Sequence, residues 1–149
     1  MVALAILEYF LLLWGASYLG FAYRRFIPDA AIYRWIGLFM TIAGVMFAIW
    51  ARFTLGRNWS GVVTVKENHQ LIRNGPYSFV RHPIYTGVTF AAFGTAVFVG
   101  DIRSIILLVA VLSVFIHKIK IEEQFMTDQF GSEYTSYRQE TKALIPFLW

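Results

Sequence analysis

Residues able to do chemistry gather in two places. The first is the run LIRNGPYSFVRHPIYTG from Leu71 to Gly87, which sets Arg73, Asn74, Tyr77, Arg81, His82 and Tyr85 among glycine and proline. Proline is well tolerated in the first turn of a helix, and it pushes the residue before it toward extended geometry. Pro83 therefore predicts a helix start, with His82 at its mouth and the imidazole directed into the loop region. Free amides and the positive end of the helix dipole suit such a mouth to a carboxylate or a phosphate. Tyr85 and Gly87 follow within the first turn or so, where a flat ring and a missing side chain leave space for an adenine. The same residues also read as a plain helix start with an interfacial tyrosine anchor. Gly75-Pro76-Tyr77 is a turn signal just upstream, either a simple chain reversal or a close approach of backbone to a ligand.

The second place is Glu122-Glu123. Adjacent carboxylates on a helix leaving a membrane commonly form a solvated face. Lys118 stands at i,i+4 spacing before Glu122, so the two share a helical face. A carboxylate so placed can accept hydrogen bonds from the amino group or ribose of a nucleoside. Gly131-x-x-Tyr134-x-x-Tyr137-Arg138 then brings two tyrosines and a cation near one another, a pattern that packing of an interfacial helix also explains. His69 and His117 lack ligand-like company, and no metal site is expected. With no cysteine in the chain, disulfides, thiolate metal sites and a cysteine nucleophile are excluded, while the compartment stays open.

These groups must be positioned by apolar elements. At 149 residues there is room for one domain. The chain is 58% hydrophobic and only 15% charged, where soluble domains carry about a quarter charged residues. Its mean hydropathy is +0.56, so the expected class is an all-α, polytopic membrane protein. A crossing helix needs about 20 mostly apolar residues, and four stretches approach that: about Val2 to Tyr23, Ala30 to Thr54, Pro83 to Val99, and Ile102 to about His117. Pro28 and Asp29 open the second, and Asp101 is placed to cap the fourth after Gly100. The third and fourth, joined by almost nothing, predict a tight antiparallel hairpin. The expected layout is a single domain over residues 1–149, with 1–55 an N-terminal helical hairpin and 56–149 the cofactor-binding part.

Past His117 the stripe Ile119, Met126 and Phe130 keeps a helical period, so the fourth helix is expected to continue out of the membrane and bend or end at Gly131. The last residues, Leu144 to Trp149, would return to the interface, where tryptophan is favoured. The N-terminus lacks a basic region and Glu8 interrupts its apolar run, which argues for a retained first span over a signal peptide. If both termini share a face with the Gly56–His82 loop, that face holds nine of the 13 basic residues, and only Arg24, Arg25, Arg34 and Arg103 lie opposite. The positive-inside rule makes the first face cytoplasmic; the Arg24–Arg25 pair pulls mildly the other way. The net charge of +4 calls for no nucleic-acid partner, because the basic residues flank apolar segments.

RNGPYSFVRHPIYTG, a hydrophobic hairpin, and then IEEQF…FGSEYTSYRQETKALIPFLW together resemble the cofactor-binding half of the isoprenylcysteine carboxyl methyltransferases and their bacterial relatives, over about Asn58 to Trp149. The order and spacing of the blocks carry the resemblance. It implies an integral-membrane methyltransferase that takes S-adenosylmethionine from the cytosol, in a pocket formed by the loop and the C-terminal tail. The acceptor it implies is lipid-linked or prenylated, with carboxyl O-methylation of an isoprenylcysteine-like group as the leading reaction. It makes Gly75, His82, Pro83, Ile84 and Tyr85 cofactor contacts, joined by Phe90, Glu122 and Glu123. Lys118 stands where eukaryotic members commonly carry an arginine that helps hold the substrate, and lysine lacks that planar fork; Arg138 is a second cation for the role. Three readings stay open beside it: a phospholipid or amine N-methyltransferase, a nicotinamide-dependent enzyme like the sterol reductases, and a membrane protein without turnover.

Overall fold

The computed structural model describes residues 20–56 and 71–146. The expected first span up to residue 19, the loop 57–70 with Lys66 and His69, and the final 147–149 with Trp149 lie outside the described residues. Among the described residues there are four α-helices, α1 (Ala31–Leu55), α2 (Pro83–Val99), α3 (Ile102–Phe130) and α4 (Ser132–Glu140), with 3-10 turns at Gly20–Tyr23 and Gly75–Ser78. Among the described residues there are no strands, only isolated bridges pairing Arg25 with Asp101 and Val80 with Lys142. The all-helical expectation is met.

Helices α1 and α3 are long and apolar enough to cross a membrane, while α2 is shorter at 17 residues. Trp35, Phe39, Met46 and Phe53 of α1 are exposed, as in a helix that is apolar all round and faces hydrocarbon. After Arg103, α3 carries no Asp, Glu, Lys or Arg until Lys118, so the apolar part, Ile102 to about His117, is the part read as a span. The chain then breaks at Gly131 and α4 follows, as the periodicity predicts. Helix α2 keeps its predicted bounds, and α1 runs from Ala31 to Leu55, within one residue of the expected Ala30 to Thr54. The Asp29 carboxylate accepts from Arg34 and lies 3.7 Å from Arg25. Both contacts are exposed and contribute little.

The chain divides into two compact units, Met1–Gly44 with Thr89–Val114 and Val45–Val88 with Phe115–Trp149. The first unit contains the turn between α2 and α3. Gly100 sits there at φ +70, a conformation that favours glycine because a side chain would clash with the backbone. Its carbonyl accepts from the amide of Phe26 at 2.9 Å, and Ile102 donates to the carbonyl of Arg24 at 3.2 Å, so the stretch before α1 closes over the turn. Asp101 is the expected cap: Oδ1 accepts from the amide of Ser104 at 3.2 Å. Its Oδ2 takes Arg103, whose guanidinium lies 4.0 Å from the centre of the Tyr23 ring.

Small residues bring α1 and α2 together in this unit. A Cβ on Gly37 would fall 2.5 Å from the Phe98 amide nitrogen, and one on Gly94 would fall 2.6 Å from that of Thr41. Those neighbours are backbone and cannot rotate away. The close approach lets Thr41 Oγ1 reach the carbonyl of Ala91 at 3.3 Å and Thr95 Oγ1 at 3.4 Å, the hydrogen bonding across small residues that membrane helices use. Replacing Gly94 by valine is expected to destabilise the protein by about 1–3 kcal/mol through overpacking, seen as a lower thermal midpoint in detergent. Gly20→Ala adds a Cβ with nothing within 4 Å and should stay within about 0.5 kcal/mol of the parent. Equal midpoints for the two variants would remove the close crossing from the account.

Candidate functional site

The second unit is organised around the start of α2. Val80 pairs in parallel with Lys142. The amide of Arg81 donates to the carbonyl of Lys142 at 2.8 Å and that of His82 to Ala143 at 3.0 Å. Thr86 Oγ1 donates to the carbonyl of Leu144 at 2.7 Å. Three successive carbonyls of the C-terminal segment thus take donors at the helix mouth. The amides of Arg81 and His82, just ahead of the helix, are thus bonded within the chain. Val80, Pro76 and Pro83 are fully buried beneath this contact.

Upstream, Gly75 begins its turn at φ +58, and a Cβ there would lie 3.3 Å from Thr54 Cγ2. Its glycine is thus explained by the turn and by packing on α1. Helix α4 is tied to the same turn by Tyr137, whose hydroxyl donates to the carbonyl of Tyr77 at 2.5 Å. Arg73 covers the Tyr137 ring at 5.1 Å and pairs with Glu140.

With these backbones fixed, six of the residues singled out from the sequence form one network. Glu122 Oε1 accepts from the Tyr85 hydroxyl at 2.6 Å and lies 3.2 Å from Lys118 Nζ. Lys118 donates to the Tyr85 oxygen at 2.9 Å. The His82 imidazole stands between the two carboxylates, with Nδ1 3.5 Å from Glu122 Oε2 and Nε2 3.4 Å from Glu123 Oε1. Glu123 Oε2 is 3.3 Å from Arg138 Nε. The rings stack: His82 lies parallel to Tyr85 with centroids 5.7 Å apart, and Tyr85 stacks on Phe115 at 4.5 Å. Pro83 is buried at the start of this helix, Ile84 is half-buried beside it, and Gly75 sits on the turn. Phe90 belongs to the first unit, where it is exposed.

Sequence reasoning named Arg81 only as part of the polar run, yet its guanidinium bonds Glu123 from two nitrogens, at 2.8 and 2.6 Å. Nothing in a linear sequence says which carboxylate an arginine meets 42 residues away. Phe115 was hidden in an apolar span. Tyr134 and Tyr137 are buried and meet edge to face at 6.1 Å, so packing accounts for them. Burial pushes the phenols of Tyr77 and Tyr134 above their ordinary range, and Tyr137 up to about 12. All three are neutral hydroxyls at pH 7.

Comparison with known proteins places this geometry in a family. Residues 32–133 match the sequence profile described as phospholipid methyltransferase. The chain belongs to that family. The match begins well before Asn58, so it takes in α1 as well as the two blocks that carried the resemblance. The chain is 32% identical over 129 residues to protein-S-isoprenylcysteine O-methyltransferase B of Arabidopsis thaliana, covering 83% of this chain and 66% of that protein. It is 31% identical over 116 residues to the protein-S-isoprenylcysteine O-methyltransferase of Saccharomyces cerevisiae, covering 76% and 48%. The solved structure of a eukaryotic intramembrane Ras methyltransferase, isoprenylcysteine carboxyl methyltransferase, superposes with a TM-score of 0.77 at 25% identity, over 99% of this chain and 52% of that one. The resemblance to isoprenylcysteine carboxyl methyltransferases is borne out. The chain spans about half to two thirds of the length of these relatives.

The charge state of His82 follows from its neighbours. Burial alone would pull its pKa down, but hydrogen bonds to Glu122 and Glu123 and the charge of both carboxylates outweigh it and hold it above the ordinary 6.5. A raised folded-state value means a stabilising contribution that is full below pH 6.5 and lost as pH climbs through the folded value. The thermal midpoint of the detergent-solubilised protein is therefore expected to fall on the alkaline side. His82→Gln should lower the midpoint at pH 6 and flatten that fall. An alkaline fall that survives unchanged in His82→Gln would have another origin.

Proposed function

We propose that this chain is an integral-membrane methyltransferase that uses S-adenosylmethionine to methylate the carboxylate of an isoprenylcysteine-like, lipid-linked acceptor. The observation that carries the reading is the network joining His82, Tyr85, Lys118 and Glu122, held in a chain whose relatives are named for that reaction. The groups present suit the cofactor. Carboxylates at Glu122 and Glu123 match its ammonium and ribose hydroxyls, the stacked Tyr85 and Phe115 rings match adenine or sulfonium, and Arg138, half exposed, matches its carboxylate. Pro83 and Ile84 would line the site from the helix start, and Gly75 would contribute through its backbone. Bound S-adenosylmethionine supplies a methyl group already activated by the sulfonium, so the residues here are asked mainly to bind, align and exclude water.

The sign of the site favours a carboxylate acceptor over an amine. Lys118 and the half-exposed Arg138 border Glu122 and Glu123, so a carboxylate acceptor would meet a cation there while the two carboxylates serve the cofactor's ammonium. Lys118 is the cation we assign to the acceptor, with Arg138 as its alternate. The proposal also includes about four spans, with both termini and the Gly56–His82 loop cytoplasmic, so that the cofactor enters from the cytosol. Because the chain has no cysteine, single cysteines report topology directly: an impermeant thiol reagent added outside should label Arg24→Cys and spare Lys66→Cys. The reverse pattern would invert the topology.

Calorimetry in detergent should show S-adenosylmethionine binding. Transfer to an S-farnesylated cysteine carboxylate should vary little from pH 6 to 8, whereas an amine acceptor must lose a proton first and would give a steep rise. Glu122→Gln is expected to weaken cofactor binding by about 1–3 kcal/mol through loss of charge-assisted bonds. Lys118→Ala should act mainly on the KM of the acceptor. No binding of S-adenosylmethionine by the parent protein would end this reading.

A further inference from the structure

We propose that Arg81 is a positioning residue of the site, tying the Glu123 carboxylate to the end of α4 and competing with His82 for the oxygen they share. Its side chain is only 9% exposed. Nε and one terminal nitrogen hold Glu123 Oε1, and the other terminal nitrogen donates to the carbonyl of Arg138 at 3.2 Å and to that of Thr141. One planar guanidinium thus clamps its own segment, α3 and the exit of α4. Lysine, with a single nitrogen, cannot span those three points.

The consequence falls on His82. Glu123 Oε1, the oxygen Arg81 holds, is also the one facing His82 Nε2, and Glu122 faces the other ring nitrogen. The groups around the imidazole are Arg81 and Tyr85 from its own segment and helix, Glu122 and Glu123 from α3, and Arg138 from α4 through Glu123. Lys118 stands behind Glu122, and Tyr134 packs near Glu123 as a neutral phenol. Removing the charge of Arg81 takes a cation from beside the imidazolium and leaves Glu123 to it. Removing the charge of Glu123 takes away one of two anions. The two changes must move the titration of His82 in opposite directions, which a residue that only stabilises the fold has no reason to do.

The inference rests on the methyltransferase reading where it concerns the cofactor, so the test has two arms. Full-length protein in detergent is compared as Arg81→Gln, Arg81→Lys and Glu123→Gln, with the His82 titration followed by NMR and assigned through His82→Gln. Arg81→Gln should raise the His82 midpoint and Glu123→Gln should lower it, while Arg81→Lys should leave it near the parent value. In the second arm, calorimetry should show S-adenosylmethionine affinity falling about tenfold in Arg81→Gln and less in Arg81→Lys. A His82 midpoint unmoved by Arg81→Gln, or moved the same way as by Glu123→Gln, overturns the proposal. If Arg81→Gln does not fold, parent-like affinity in Arg81→Lys overturns it. If the parent binds no S-adenosylmethionine, the methyltransferase reading fails while the titration still decides the role of Arg81.

Discussion

Irregular backbone taken out of water must have its polar groups satisfied by the chain itself. Just ahead of α2 the amides of Arg81 and His82 donate to the carbonyls of Lys142 and Ala143, and the Thr86 hydroxyl in the first turn donates to that of Leu144. That contact puts residues from near the end of the sequence against Arg81 and His82, and the rest of the second unit follows from it. Helix α4 must stop at Glu140 to let the segment run in, its last carbonyls come within reach of Arg81, and Tyr137 is buried against the Tyr77 turn. The polar run at Leu71–Gly87 is therefore not a loop that happens to lie near a tail. The two are one backbone-bonded structure.

Charge is the second constraint. Ionised groups taken out of water are costly unless they are paired and hydrogen-bonded. Here the side chains of Arg81 and Glu123 are about one-tenth exposed, and those of Lys118 and Glu122 about one-quarter. Both carboxylates are engaged on both oxygens, which fixes their orientation as well as their charge. A site so heavily cross-bonded is preorganised, which suits a reaction in which alignment contributes much of the rate.

The outline of this arrangement was legible because it depends on local chemistry. Pro83 fixes a helix start, Val99 and Asp101 bracket a turn that only Gly100 can make easily, and Lys118 and Glu122 share a face by spacing alone. What escaped the sequence depends on which distant groups meet. Arg81 finds Glu123 only after the C-terminal segment docks, and Phe115 joins the ring stack only because α2 and α3 pair at that level. Asp29 shows both sides of this. Its position just before α1 was read correctly, since α1 begins at Ala31, but its carboxylate pairs with Arg34 and Arg25, which spacing alone did not foretell.

Lysine at position 118 acquires a reason once Tyr85 is in view. Its ammonium reaches the Tyr85 oxygen at 2.9 Å and Glu122 at 3.2 Å, while lying 5.3 Å from the centre of the Tyr85 ring. A compact tetrahedral ammonium can serve both partners and keep one proton for an acceptor, whereas a planar fork would have to turn its paired donors toward one of them. On the proposed reading, one remaining donor fixes the distance of an acceptor carboxylate but not its rotation. Orientation must then come from the acceptor's apolar portion. Selectivity would therefore lie in the lipid-like part of the acceptor, with the chemistry around its carboxylate free to vary.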